Sequence, residues 1–499
     1  MTTCFLGLDA GSSVTKAALF DGEGRQLAVA DRRVRLNRPQ PGRVEVDPEE
    51  AWSAAAAVIR QVIAEARVDA GQIAAVGLSA AMVGAWVVDA GGRALRPGIN
   101  WEDSRTQALI ERLETREPGV QSRIFHSSGC VMQQGCTLPV FAWLAEHEPD
   151  MLAGAAHLFG YKDYLRFRLT GEAATDRSEA AVAPGSAVAR DRSPAMLALF
   201  GLERWRHLLP PVADSESLAG SITADAAAAT GLAAGTPVAV GAGDVAASLV
   251  GSGGLGPGRM TAVLGTTCLV GICLDRPTFL PADLGLLFTL PGHAWYRAMV
   301  NVAGTLNIDW AVAALTPDLA DAPDLYRQLE ALAETVPIGA DGVTWLPYLS
   351  ESGIVAPVVD AGARAQFAGL APRHGRAHLV RAVYEGVALA IRDLIDLLPG
   401  AANGGEMLLI GGGSRSPLWC QMIADLAGRD VVVPAASEFG ARGAALIAAT
   451  AVGRFASVRA ASAVATPEAR RHAPDPATAA AWAEALGRYR ARRDAALAG

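Results

Sequence analysis

Cysteines are scarce in this chain, aromatic residues are few, and no long apolar run occurs. Six cysteines in 499 residues (Cys4, Cys130, Cys136, Cys268, Cys273 and Cys420) do not make a disulfide framework, and the Cys130–Cys136 and Cys268–Cys273 spacings fit no common zinc pattern. They read as small buried residues. No apolar stretch reaches the roughly 18 residues of a spanning helix without a charge or a turn, so no membrane partner is expected. The N-terminus, MTTCFLGLDAG, lacks the basic region and apolar core of a secretory signal, and a cytoplasmic protein is expected. Basic residues are in deficit: 43 Lys plus Arg face 51 Asp plus Glu, for a formal net charge of -8, and nothing suggests a nucleic-acid footprint. A GxxxxGK[ST] segment is also missing, which excludes a P-loop.

What the chain has in quantity is glycine and proline, 53 and 28 residues, dispersed as turns between apolar segments rather than gathered into low-complexity tracts. A chain of this length is expected to form two to four domains and to bury roughly three-quarters of its unfolded surface. One glycine pattern is a decoy. Gly251, Gly253 and Gly256 spell G-x-G-x-x-G with Asp275 about 20 residues on, but a helical segment precedes them and a β-like run follows. A dinucleotide fold requires the opposite order.

The informative passage is FLGLDAGSSVTKAALF, residues 5 to 20. An apolar run delivers Asp9, a Gly11-Ser12-Ser13 turn follows, and a second apolar run leaves with Lys16 near the bend: strand, turn, strand. A turn of small residues brings backbone N–H groups and hydroxyls close to a polyanion, and a strand-end aspartate can hold a hydrated divalent cation. RMTAVLGTTCLVGICL, residues 259 to 274, repeats the design half a chain later with Gly265-Thr266-Thr267 at the turn. Between the two, PVAVGAGDVAASLVG, residues 237 to 251, ends a buried strand in Gly-Ala-Gly and opens a helix at Asp244. Further on, LLIGGGSRSPLWCQMIADLAG, residues 408 to 428, reads as strand, triple glycine, then a helix from near Pro417.

Local signals place the remaining elements. DPEEAW, residues 47 to 52, starts a helix with Asp47 as N-cap, Pro48 at the first position and Glu50 completing a capping-box variant. IAAVGLSA, residues 73 to 80, is a strand, so β and α units alternate from the start. GRAHLVRAVYEGVALAIRDLIDLLPG, residues 375 to 400, is a long helix in which Gly386, about 1 kcal/mol worse than alanine, points to close backbone packing.

Taken in order, these segments resemble the FGGY carbohydrate kinases, within the larger group that includes hexokinase, actin and the heat-shock chaperone ATPases. The likeness runs from Phe5 to about Gly453 and includes GGGSRSPLWCQMIADLAGRDVVVP, residues 411 to 434, and LPYLS, residues 346 to 350. It implies an α/β fold of two ribonuclease H-like, actin-like ATPase domains with a cleft between them. Residues 1–250 would carry the acceptor sugar and the first phosphate hairpin, 251–453 the second hairpin and the adenosine pocket, and 454–499 a helical extension outside the catalytic core. It further implies ATP and Mg2+, with Asp244 as the base that deprotonates the acceptor hydroxyl and Asp9 holding the hydrated magnesium. Ser12, Ser13, Lys16 and Gly11, with Gly265, Thr266 and Thr267, would grip the phosphates; Gly304, Gly412 and Gly413 match positions that line the adenosine pocket. Pro417 stands where relatives often carry a polar residue near the adenine.

The acceptor site is expected in SAAMVGAW, residues 79 to 86, and NWEDSR, residues 100 to 105. Asp103 and Arg105 would read sugar hydroxyls there, and Met82 and Trp101 would cover the carbon skeleton. Xylulokinases commonly carry Met-His-Gly where this chain has Met82-Val83-Gly84, and glycerol kinases carry an Arg-Glu pair where it has uncharged residues. The tract RAHLVRAVYEGVALAIRDLID looks like the branch with L-xylulose and erythritol kinases. A ketopentose of the xylulose type is the expected acceptor, with a polyol such as erythritol second and a non-kinase actin- or chaperone-like ATPase behind both. Pairing of two copies is left open by the sequence.

Overall fold

Short apolar runs on either side of the Gly11–Ser13 turn pair as antiparallel strands β1 (Cys4–Ala10) and β2 (Val14–Asp21), and a third strand, β3 (Gln26–Arg33), continues the meander. This arrangement is seen in a computed structural model that describes residues 3–131, 134–301, 303–351, 353–403, 405–464 and 469–498. On its other side β1 pairs in parallel with β4 (Ile73–Ala80), and the sheet is completed by β5 (Leu218–Ser221), β6 (Pro237–Ala239) and β7 (Ala242–Gly243), the last two also parallel to β4. The order is β5-β6-β4-β1-β2-β3, with β7 on the far end of β4.

The same plan recurs in the second half. β8 (Met260–Leu264) and β9 (Cys268–Leu274) form the second hairpin, followed by β10 (Leu286–Leu290) and β11 (Ala294–Asn301), all antiparallel to their neighbours. On the opposite side of β8, β12 (Met407–Ile410) and β13 (Val431–Val433) run parallel, and β14 (Arg470–His472) closes the edge. In both sheets the first strand of a hairpin is central, the hairpin extends one way and parallel strands extend the other. That is mixed α/β architecture built twice on one topology, as the two hairpins led us to expect.

Helices cover the sheets. α1 (Pro48–Ala66) begins on Asp47, whose side chain accepts from the N–H of Glu49 and Glu50. Glu50 does not close a capping box; its carboxylate accepts from Arg35 N at 2.8 Å and ties the helix to the preceding loop instead. Two further helices join the halves: α2 (Asp244–Ser252) and, from the second half of the chain, α3 (Phe439–Ala451). α3 does not lie on its own sheet. It packs on β1 and β4 of the first sheet and on α2, through contacts that leave no room for side chains. A Cβ at Gly7 would stand 1.8 Å from Ala441 O, one at Gly77 1.9 Å from Ala444 O, and one at Gly443 1.8 Å from Ala247 O.

Around these helices a shared core forms from both halves, with Phe5 and Phe20 of the first sheet and Leu286 and Phe288 of the second in one buried cluster. The long helix observed at Arg376–Asp396 packs its Gly386 on Trp345, where a Cβ would meet the carbonyl oxygen at 2.5 Å, which is the close approach that the glycine suggested. The terminal helix Ala479–Leu497 buries Trp482, Ala485 and Tyr489 in the core of the second sheet. It is an appendage in sequence and part of that core in space, because its three large or small apolar residues face inward at helical spacing. Ala465, Thr466, Pro467 and Glu468, within the expected extension, lie outside the described residues. None of the six cysteines forms a disulfide and all are buried, and among the described residues no helix is long and apolar enough to cross a membrane.

Candidate active site

Three parallel strands of the first sheet end side by side, and the carboxyl ends of parallel strands are where open α/β sheets bind ligands. β1 delivers Asp9, β4 delivers Ser79 and then the segment Ala81–Gly84, and β7 delivers Asp244. Register puts Asp9 beside Ser79, whose hydroxyl donates to Asp9 Oδ1 at 2.9 Å. Gly243, in extended conformation, caps α2 so that Asp244 is its first residue, with Oδ1 accepting from Val245 N at 2.8 Å. Burial first, and then the charge of Asp9, push the Asp244 carboxyl up to about 7. Burial likewise raises Asp9; the Ser79 hydroxyl and Lys16 work against that rise, and Glu438 adds to it.

Two buried carboxyl groups, both raised by burial and one of them also by the charge of the other, form a site short of positive charge, the environment that a hydrated divalent cation satisfies. α3 packs its backbone directly on Asp9: at Gly440, its second residue, a Cβ would stand 2.2 Å from Asp9 Oδ2. Asp9 and Asp244, two buried carboxyl groups, are the donor set here that fits such an ion. Lys16 lies on β2 opposite Asp9 in the antiparallel register. Its ammonium pairs with Glu438 at 2.9 Å, 422 residues away in sequence.

The first hairpin turn is half exposed to exposed at Gly11, Ser12 and Ser13, and Gly11 N closes it on Val14 O at 3.0 Å. Ser12 Oγ accepts from Trp101 Nε1 at 2.7 Å, so the indole, 43% exposed, stands beside the first hairpin turn. Met82 reaches the residue before Asp244: a Cβ at Gly243 would lie 2.5 Å from Met82 Sδ. The thioether thus covers the backbone that precedes Asp244. Between Met82 and Gly84, Val83 holds φ at 61° and donates its N–H to Glu179 Oε1 at 2.7 Å. Burial, followed by the charge of Asp163, pushes the Glu179 carboxyl up to about 8.

Asp103 and Arg105 depart from expectation. Asp103 accepts from Arg105 N and Nε on Oδ1 and from Val44 N, at 2.7 Å, on Oδ2; Arg105 also pairs with Glu45 and lies over the Trp143 ring. Their side chains are 0% and 2% exposed. They brace the loop behind Trp101, and Asp103 presents nothing to an acceptor, because a carboxylate saturated by a guanidinium and a backbone amide has no oxygen left to turn outward.

In the second sheet Thr266 and Thr267 are exposed at the hairpin turn, which Gly265 N closes on Thr267 O at 2.9 Å. Gly304 supports that turn from below, donating to Thr266 O at 2.6 Å. The adjoining cavity of about 330 Å³ takes Thr305 from this segment and Gly412, Gly413, Ser416 and Pro417 from the glycine-rich turn after β12. Its remaining wall includes the aromatic rings of Tyr326, Tyr384 and Trp419 and the charged residues Asp309, Glu330, Arg327 and Arg415. Its size and its aromatic side suit a purine nucleoside. Sequence reasoning missed Glu438, Gly440 and Tyr326, and placed Ser79 with the acceptor segment, whereas it bonds Asp9. No local signal marks them, since each acquires its place through a partner distant in the chain.

Two family comparisons cover nearly the whole chain: residues 4–251 match the N-terminal domain, and residues 260–452 the C-terminal domain, of the FGGY family of carbohydrate kinases. A xylulose kinase of Escherichia coli (strain K12) is 34% identical over 451 residues, 89% of each chain. An erythritol kinase of Brucella abortus (strain 2308) is 32% identical over 471 residues, 90% of this chain and 88% of the relative. Among solved structures, a "xyloylose kinase" from Brucella ovis superposes with a TM-score of 0.87 at 31% identity and covers 99% of both chains.

Proposed function

The chain belongs to the FGGY family of carbohydrate kinases and is a sugar kinase, and from that premise we propose that Asp244 is its general base and a ketopentose of the xylulose type its acceptor. One observation carries the assignment of the base. Asp244 opens a helix at the end of a parallel strand, beside Asp9, with its carboxyl poised at about 7, and a base near the working pH combines adequate ionisation with adequate basicity. The acceptor hydroxyl gives its proton to Asp244. Its oxygen then forms a bond to the γ-phosphorus of ATP as the bond from that phosphorus to the β,γ-bridging oxygen breaks, and ADP leaves in line. The proton passes from Asp244 to solvent after release. A magnesium ion held through Asp9 would, when bound, neutralise charge on the phosphate oxygens. The turn amides and hydroxyls at Gly11, Ser12 and Ser13, with Gly265, Thr266 and Thr267, orient the phosphates. The cavity beside Gly412 and Gly413 takes the adenosine. Lys16 joins the phosphates by exchanging Glu438 for them.

The same proposal divides the chain at 250/251 and 453/454 and sets the reaction in the cytoplasm, where ATP is held. The acceptor wall is apolar and uncharged, made by Met82, Val83 and the Trp101 face, and with Asp103 and Arg105 withdrawn no charged pair is left to grip a three-carbon polyol. Xylulose-type sugars are therefore expected to be turned over best, with erythritol or a pentitol second, which agrees with the names of the two relatives. An ADP-release assay against ketopentoses, tetritols, pentitols, gluconate and glycerol ranks them. Highest kcat/KM on glycerol or gluconate refutes the acceptor reading while leaving the kinase intact.

Substrate is expected to close the two halves on each other, since each carries part of the phosphate site and a dry site suppresses idle ATP hydrolysis. Small-angle scattering with an ATP analogue and acceptor together checks this. A smaller radius of gyration than with either alone is expected, and an unchanged profile at saturation counts against a hinge.

A further inference from the structure

The short helix Arg177–Val182 contributes nothing to either phosphate hairpin, yet two adjacent residues on it bond to two separate backbone amides of the site. Ser178 Oγ accepts from Gly243 N at 3.0 Å, the amide immediately before Asp244. Glu179 Oε1 accepts from Val83 N at 2.7 Å, the amide immediately after Met82. Val83 needs such a partner, because a β-branched residue at φ 61° is a true conformational outlier that persists only where its surroundings hold it.

The helix is itself fixed from below. Asp176 Oδ2 accepts from Ser178 N at 2.8 Å, Ser178 Oγ at 2.5 Å and Ser215 Oγ at 3.2 Å. The Lys162 ammonium lies 3.3 Å from Asp176 Oδ1, pairs with Asp163 and donates to Val240 O at 3.2 Å. Asp176, Ser178, Glu179, Lys162 and Asp163 are all buried. Thr289, on β10 of the second sheet, donates to Arg177 O at 2.8 Å. Buried charges are costly unless paired, and here the pairs hold one short helix rigidly between the acceptor wall and the base.

We propose that this helix is a bracket setting the separation of acceptor and base, with Glu179 the positioning residue for the Met82–Gly84 turn and Ser178 the positioning residue for the turn that carries Asp244. The proposal rests on the reading of Asp244 as base and of residues 82–84 as acceptor wall. Its signature is a division of labour between neighbours. Loss of the Glu179 carboxyl group frees the Val83 amide and deforms the wall, which weakens acceptor binding. Loss of the Ser178 hydroxyl frees the Gly243 amide and displaces the base, which slows the chemical step, since small misplacement of a catalytic group is costly in rate.

The test compares the full-length wild type with Glu179→Ala, Glu179→Gln and Ser178→Ala. Acceptor kcat and KM are measured with the best sugar of the panel, and ATP affinity by calorimetry. Glu179→Ala is expected to raise acceptor KM at least about tenfold with kcat and ATP affinity within about threefold. Ser178→Ala is expected to lower kcat at least about tenfold with KM within about threefold. Glu179→Gln keeps an oxygen that can accept from Val83 N and is expected to restore KM to within about threefold of wild type. If an alanine variant does not fold, Glu179→Asp and Ser178→Cys replace it with the same split expected. Equal losses in kcat and KM at both positions, or a glutamine variant no better than alanine, overturn the bracket. A wild type inactive on every sugar and polyol overturns the functional reading and the bracket with it, whereas an active wild type without the split overturns the bracket alone.

Discussion

Asp244→Asn is expected to lower kcat by on the order of a hundred- to ten-thousand-fold, the usual loss when a positioned base is removed, while ATP affinity stays within a fewfold of wild type. The amide is nearly isosteric and cannot take the proton. The wild-type pH profile belongs to the same prediction. kcat/KM reports the free enzyme, so it should rise with pH through about 7 as the carboxylate forms. Stability moves the opposite way. With a folded value of about 7 against an ordinary 3.8, the folded state binds the proton more tightly than the unfolded state across that window, and stability falls as pH rises through it. Asn carries no such cost, so Asp244→Asn should be more stable than wild type above pH 7, by at most on the order of 4 kcal/mol, with the gain vanishing below about pH 4. Steady-state kinetics with calorimetric ATP binding, and thermal melts at pH 5 and pH 8, check both halves. A variant that keeps most of its kcat removes Asp244 from the role of base.

The second large effect is on folding. Gly7→Val and Gly77→Val should each destabilise the protein by more than about 3 kcal/mol, beyond the usual range for overpacking, because a Cβ at either position would fall within 1.9 Å of a carbonyl oxygen of α3. A backbone carbonyl cannot swing aside as a side-chain tip can. The strain has only one outlet, separation of α3 from the first sheet, and that would also withdraw Glu438 and Gly440 from Lys16 and Asp9. Gly71→Ala is the control: nothing lies within 4 Å of its Cβ position, and the change should be neutral to slightly stabilising. Denaturant midpoints measure all three. A glycine-to-valine variant within 1 kcal/mol of wild type would mean that the helix is not seated as tightly as these contacts require.

Much of the architecture was legible because its signals are local. The two hairpins declared themselves through apolar runs either side of small-residue turns, and the helix starts at Pro48, Asp244 and Pro417 through caps and proline. Glu50 was misread because a capping-box pattern says nothing about a competing amide fifteen residues earlier, and Arg35 N took the carboxylate. Asp103 and Arg105 were misread for a related reason. Polar residues after a strand in the acceptor segment look available until Glu45 and Val44 arrive from another loop and bury them.

The sequence by itself determined the fold class, the pair of strand-turn-strand hairpins and the placing of Asp9 and Asp244 at a strand end and a helix start, since each depends on residues close together in the chain whose backbone preferences and spacing are short-range properties. Tertiary structure alone decided which of the polar candidates face the site. It paired Lys16 with Glu438 across 422 residues, seated α3 on a sheet from the other half of the chain, and set Ser178 and Glu179 on the backbone amides of Gly243 and Val83. Those outcomes turn on packing and desolvation. The sign and accessibility of a charge are fixed only when distant segments have closed around it, and no local pattern carries that information.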